Sequence, residues 1–254
     1  EVVGIGLWER RNGLLSAYPQ SAIPLPLVVD EICPAATWKA IVQTLVNDLR
    51  RGDLEKVVLA RECRVVGRHP FDATRVLRRL RVDYPNCFIF AVARGSRCFL
   101  GASPERLVRL RQGTVWATCL AGSIARGATA TEDQQLGAAL LASAKDRAEH
   151  AVVVRALRDA LAGLCDALVV PDAPILMKMP NVQHLFTPVT GRISHGRTVL
   201  DLVERLHPTP AVGGYPRDAA LRLIREREGL DRGWYGGPVG WLDTRGDGEF
   251  AVAI

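Results

Sequence analysis

Lysine is scarce in this sequence. Of its 33 basic residues only Lys39, Lys56, Lys145 and Lys178 are lysine, and the rest are arginine. Arginine stays protonated in proteins, whereas lysine can give up its proton when its surroundings demand it. Each of the four is therefore worth inspecting as a functional amine. Long apolar runs are missing too: none approaches the roughly 20 residues needed to cross a bilayer. The start, Glu1-Val-Val-Gly-Ile-Gly, has neither a basic n-region nor a small-residue cleavage site, so export is not expected. The six cysteines (Cys33, Cys63, Cys87, Cys98, Cys119, Cys165) are widely spaced and contain no CxxC pair. That argues against a disulfide framework or a zinc site and for reduced core thiols in a cytosolic protein. GxGxxG and Walker A sequences are absent, so nucleotide binding has no support.

What is present fits a globular chain. Its 254 residues can bury a large core as one large domain or two small ones, and 48% hydrophobic with 24% charged residues is ordinary for a soluble protein. The net charge of +6 raises nucleic-acid binding as an alternative. Most positive residues sit beside acids, however, as in Arg222-Leu-Ile-Arg-Glu-Arg-Glu228. The dense stretch from Arg75 to Arg81 has the periodicity of a solvated helix face, not of a phosphate track.

Helical spacing appears at Ile41, Leu45 and Leu49, and again at Val76, Leu77 and Leu80. A long helix is expected to start with Ser143 as N-cap and Asp146 three residues on, continuing through Val154, Leu157, Leu161 and Leu164. Two more fit Val199 to Leu206 and Arg217 to Glu228. Strand-like runs are Lys56 to Val66, Cys87 to Val92, Cys98 to Gly101, Val115 to Leu120, Ile175 to Met179, Val182 to Val189, Val239 to Leu242 and Phe250 to Ile254. Gly/Pro-rich patches lie at Pro24 to Pro26, His207 to Pro216 and Gly229 to Gly248. Paired strands between helices predict an α+β design of antiparallel sheet with helices outside.

Four patches combine ionisable groups with backbone constraint. In Lys56-Val-Val-Leu-Ala-Arg61, strand alternation puts Lys56, Val58 and Ala60 on one face, so Lys56 is either a buried amine or a strand-end lysine that snorkels. Glu105 in Gly101-Ala-Ser-Pro-Glu105-Arg follows a small-residue turn, where it projects into a cleft or pairs with Arg106. In Lys145-Asp-Arg-Ala-Glu149-His, Asp146 and Glu149 share a helical face, which suits a hard cation such as Mg²⁺ or simply a solvated surface. The run His207-Pro-Thr-Pro-Ala-Val-Gly-Gly-Tyr-Pro216 is constrained enough to hug a ligand. None of the four alone names an enzyme.

In order along the chain, Lys56-Val-Val-Leu-Ala-Arg, Ser103-Pro-Glu-Arg, Leu120-Ala-Gly-Ser, Lys145-Asp-Arg-Ala-Glu-His, Asn181-Val-Gln-His-Leu, His207-Pro-Thr-Pro-Ala and Arg232-Gly-Trp-Tyr resemble the chorismate-utilising enzymes. These include isochorismate, salicylate, anthranilate and aminodeoxychorismate synthases. The resemblance runs from about Lys39 to Ile254 and is nearest to isochorismate synthase. It implies a four-layer α/β/β/α arrangement of two facing, largely antiparallel sheets with outer helices, and a single chorismate-binding domain over residues 1–254 that is incomplete at both ends. It further implies Lys56 as the base that activates water for attack at ring carbon 2, and Glu105 as the acid that protonates the hydroxyl leaving carbon 4. Glu149 is implied as a Mg²⁺ ligand with Asp146 behind it, Gly122 and Ser123 as the segment against the substrate, and His184 as a nearby histidine. Ala211 falls at the position that separates family branches. A lysine base near neutrality needs a pKa below the ordinary roughly 10.4, and a glutamic acid needs one above the ordinary roughly 4.3.

Within the family, Ala121 stands where aminodeoxychorismate synthases carry a nucleophilic lysine. Anthranilate synthases generally lack the lysine found at Lys56 and have threonine where this chain has Ala211. A water nucleophile is therefore expected, with chorismate as partner and no glutaminase subunit, nucleic acid or membrane. Salicylate synthase is the alternative, since it shares Lys56 and Glu105 and goes on to eliminate pyruvate. Family members extend before Glu1 and past Ile254. There they carry a second metal-binding glutamate and two basic residues for the substrate carboxylates, so a non-catalytic fragment is a further alternative. The product would feed menaquinone or siderophore synthesis.

Overall fold

The computed structural model describes residues 28–30, 32–49, 54–67 and 70–254. The start at Glu1 and the Pro24–Pro26 patch lie outside them. The elements run β1 (Val28–Asp30), α1 (Ala35–Leu49), β2 (Lys56–Val57), β3 (Arg64–Val66), α2 (Ala73–Asp83), β4 (Phe88–Arg94), β5 (Arg97–Ser103), β6 (Arg106–Arg111) and β7 (Thr114–Ala125). They continue with α3 (Ala130–Ala142), α4 (Ala144–Ala162), β8 (Cys165–Val169), β9 (Ile175–Lys178), β10 (Val182–Ile193), α5 (Val199–Leu206), β11 (Gly214–Tyr215), α6 (Arg217–Arg227), β12 (Pro238–Leu242) and β13 (Gly248–Val252).

Seven strands form one sheet in the order β12-β13-β6-β7-β10-β8, with β9 also on β10. The remaining strands form three pairs, β1–β3, β2–β11 and β4–β5. Every pairing is antiparallel, as expected for the α+β class. Strand β10 alternates between buried and half-exposed positions along most of its length, which is the period of a sheet with one face in the core. Strand β7 departs from that pattern, being buried on both faces from Ala117 to Gly122. One face of β7 packs on α4 and the other borders the cavity described below. The core joins Leu107, Val115 and Cys119 of the sheet to Val153, Leu157 and Leu161 of α4 and Leu202 of α5.

Three expectations need correction. The run Lys56 to Val66 is not one strand: it pairs at Lys56–Val57 and Arg64–Val66, and the stretch between is irregular. There the Arg232 guanidinium donates to the Val58 and Val212 carbonyls, and Glu228 accepts from the Ala60 N–H, so side chains take the place of a sheet ladder. Ser143 does cap α4, its hydroxyl accepting from the Asp146 N–H. Its own N–H, however, donates to the Leu140 carbonyl that closes α3, so the reciprocal half of a capping box is not made. The cysteines are all free thiols, but only Cys119 and Cys165 are buried, and Cys63 and Cys98 are exposed.

Candidate active site

A cavity of about 240 Å³ opens between the start of β2, the turn before β6, the end of β7 and the loop after α5. Its lining includes Lys56, Glu105, Gly122, Ser123, Glu149, His184 and Ala211, brought together from distant parts of the chain. Asp146 is the one expected site residue that does not line it. Its carboxylate accepts from the Ser143 hydroxyl at 2.5 Å and from Lys145 at 3.3 Å, and its Cβ lies behind Gly122.

Lys56 is buried and its ammonium lies 3.0 Å from the Glu149 carboxylate, which is one-third exposed toward the cavity. A buried charge needs such a counter-ion. The lysine is held at this place because β2 pairs with β11, setting Lys56 opposite Tyr215. Glu105 is 4% exposed. Burial pushes its pKa up to about 7, against the opposing pulls of a Thr209 hydrogen bond and the Lys56 charge. The Thr209 hydroxyl donates to Glu105 at 3.4 Å, and the turn before β6 is tied by the Ser103 hydroxyl to the Glu105 N–H.

Ser123 and His184 face each other across the β7–β10 pair, with Ser123 Oγ 2.7 Å from His184 Nδ1. Burial lowers the His184 pKa and favours the neutral ring. Gly122 has φ of +80°, a conformation that favours glycine, and a Cβ there would meet Asp146 at 3.1 Å and Leu185 at 3.2 Å.

Four lining residues escaped the residue-by-residue reading, Arg232, Tyr235, Val212 and Ile254, and so did Thr209, which touches Glu105 from outside the lining. Thr209 and Arg232 sit inside quoted motifs, yet only the folded loops show that one touches Glu105 and the other ties the irregular segments at Val58 and Val212 together.

For a divalent cation, the donor set is thin. Among the described residues no group of three or more His, Cys, Asp or Glu side chains is assembled that could hold one. Mg²⁺ commonly rests on one or two carboxylates with waters and substrate oxygens completing its shell. Glu149 fits as one such ligand. Asp146, already engaged with Ser143 and Lys145, does not supply a second in this arrangement.

A family model described as "Chorismate binding enzyme" matches residues 6–254. The chain belongs to the chorismate binding enzymes. It is 51% identical over 218 residues to the salicylate biosynthesis isochorismate synthase of Pseudomonas aeruginosa, covering 85% of this chain and 45% of that protein. It is 42% identical over 217 residues to isochorismate synthase MenF of Bacillus subtilis, covering 85% and 46%. The menaquinone-specific isochorismate synthase MenF of Escherichia coli has a similar structure, with a TM-score of 0.80 at 32% identity over 92% of this chain and 55% of that one. The chain thus spans about half the length of the curated relatives it matches. No helix among the described residues is long and apolar enough to cross a membrane.

Proposed function

We propose that this chain is the chorismate-handling part of an isochorismate synthase, in which water adds at ring carbon 2 and the hydroxyl leaves from carbon 4. The observation that carries this reading is that a buried amine, Lys56, and a buried carboxyl, Glu105, line one cavity. Lys56, once its ammonium has released a proton to solvent and become the free amine, takes the proton from the attacking water, and Glu105 gives one to the departing hydroxyl, so water is consumed and released in equal amount. With its pKa pushed up to about 7, Glu105 keeps a large protonated fraction near neutrality, which a surface glutamate does not. The names of the similar proteins support the same activity.

Glu149 is the residue that would hold Mg²⁺, and the ion, when bound, would supply charge for the substrate carboxylate and help orient it. The protein's own part is to place the ring between Lys56 and Glu105 against Gly122, Ser123 and His184. Ala211 leaves room in the wall where anthranilate synthases carry a larger threonine.

The test is to incubate the protein that carries this chain with chorismate and Mg²⁺ and identify the product by chromatography. Isochorismate supports the reading. Salicylate with pyruvate would move it to salicylate synthase, and unchanged chorismate would overturn both. Glu149→Gln should raise the Mg²⁺ concentration needed for half-maximal rate, while the same change at Glu105 should leave Mg²⁺ binding near that of the wild type by calorimetry.

A further inference from the structure

His150 is buried at 2% exposure on α4, directly after Glu149, and touches neither the cavity nor solvent. Its ring spans two strands: Nδ1 lies 3.1 Å from the Ala121 carbonyl oxygen on β7, and Nε2 lies 2.8 Å from the Thr187 hydroxyl on β10. A carbonyl oxygen has no proton to give, so Nδ1 carries the proton. In the neutral ring Nε2 then accepts from Thr187.

The place where it does so is irregular. His184 opposes Ser123 and Phe186 opposes Leu120, so Leu185 alone faces both Ala121 and Gly122, a β-bulge in the cavity wall. A bulge disrupts the ladder locally, and the peptide there needs another group to fix its orientation. The peptide unit is planar and trans, so drawing the Ala121 carbonyl toward α4 turns the Gly122 N–H to the opposite side. Ala121 and Gly122 both line the cavity.

We propose that His150 is a positioning residue that fixes the Ala121–Gly122 peptide in the cavity wall and so sets the affinity for the substrate. It rests on the function proposed above. The same ring also ties Glu149, its neighbour on α4, to that wall, so one side chain coordinates two sides of the site. A histidine that merely fills core volume would not require a particular nitrogen to carry the proton.

The experiment compares His150→Asn and His150→Gln in the protein that carries this chain, with chorismate and Mg²⁺. The asparagine amide nitrogen sits near the Nδ1 position and reaches Ala121. The glutamine amide lies one bond further out, toward Thr187. His150→Asn should keep KM within about 3-fold of wild type, whereas His150→Gln should raise it about 10-fold or more, with kcat changing less, as expected for one lost buried hydrogen bond. Thermal melts of both variants separate this from unfolding, since a purely structural role would move KM in parallel with Tm. Nitrogen-15 NMR of the wild-type ring should show Nδ1 protonated and Nε2 bare. The opposite tautomer, an unchanged KM in His150→Gln, or an equal loss in both variants would overturn the proposal. If the wild type neither binds nor converts chorismate, the proposed function falls, while the NMR still decides whether His150 holds the Ala121 carbonyl.

Discussion

Lys56 and Glu149 form a buried-to-half-buried ion pair at 3.0 Å, and the arginine-rich composition makes the choice of lysine there informative. Arginine would preserve the charge and the partner but cannot serve as a base. Lys56→Arg should lower kcat by roughly 10²–10⁴-fold, measured at saturating chorismate and Mg²⁺. Near-normal turnover would remove Lys56 from the base role. Glu105 makes a second prediction that needs no substrate. Its folded pKa stands at about 7 against an ordinary 4.5, so the folded state holds a proton that the unfolded state has already released. The resulting penalty is absent below the ordinary range, grows as pH rises to about 7, and is constant above it. Glu105→Gln lacks this penalty. Its stability relative to wild type should therefore rise by on the order of 3 kcal/mol between pH 4 and pH 8 in urea unfolding. A pH-independent difference would show that the carboxyl is not held protonated. Both residues were legible in the sequence as candidates, each with a bland alternative. What the sequence did not contain was their burial, which depends on loops far away in the chain.

Among the elements, α4, α5 and α6 follow the apolar spacing closely, and most strands fall where β-branched and aromatic residues alternate. Helix α3 escaped notice for a physical reason. Its inward face carries Asp133 and Gly137 beside Leu140, so it has almost no apolar stripe to read. Asp133 is instead held by Arg126 at 2.6 Å, Lys178 at 2.6 Å and the Gln183 amide, partners supplied by β7, β9 and β10 or their flanks. Those contacts hold its pKa well below the usual carboxylate range, hydrogen bonds from Arg126 contributing most. Strand β6 was hidden by its arginines. Arg109 lies over the Trp116 ring opposite it and Arg106 pairs with Glu249, so long basic side chains cover the sheet where apolar ones were sought. Gly137 supplies the test at this scale. In an exposed helix, replacing glycine with alanine gains up to about 1 kcal/mol. Here the added Cβ would meet Leu176 at 2.7 Å and Gln183 Oε1 at 2.8 Å, so Gly137→Ala should destabilise instead, by about 1–3 kcal/mol as typical of overpacking. Denaturant unfolding gives the sign directly, and a stabilised variant would mean α3 does not sit this close to β10.

The molecule as a whole sorts its thiols by depth, which turns the fold into a measurable pattern. Cys63 and Cys98 are exposed, Cys33 and Cys87 are partly covered, and Cys119 and Cys165 are buried. Burial pushes the Cys119 thiol up to about 12, adding chemical inertness to inaccessibility. A disulfide-exchange reagent should label Cys63 and Cys98 quickly in the native protein and reach Cys119 and Cys165 only after denaturation, as read by peptide mass spectrometry. Rapid labelling of Cys119 would place it outside the core that joins the sheet to α4. The sequence by itself determined the α+β class, the principal helices, the family resemblance and the set of ionisable residues worth watching. Periodicity and short motifs are local properties, written within a few residues of one another. Only the tertiary structure decided that Lys56 faces Glu149, that Thr209 reaches Glu105, that Asp146 stays behind Gly122, and that His150 grips the bulge at Ala121. Each of those pairings depends on antiparallel register and on helix-to-sheet packing between segments remote in sequence, and no local pattern of residues encodes such a distance.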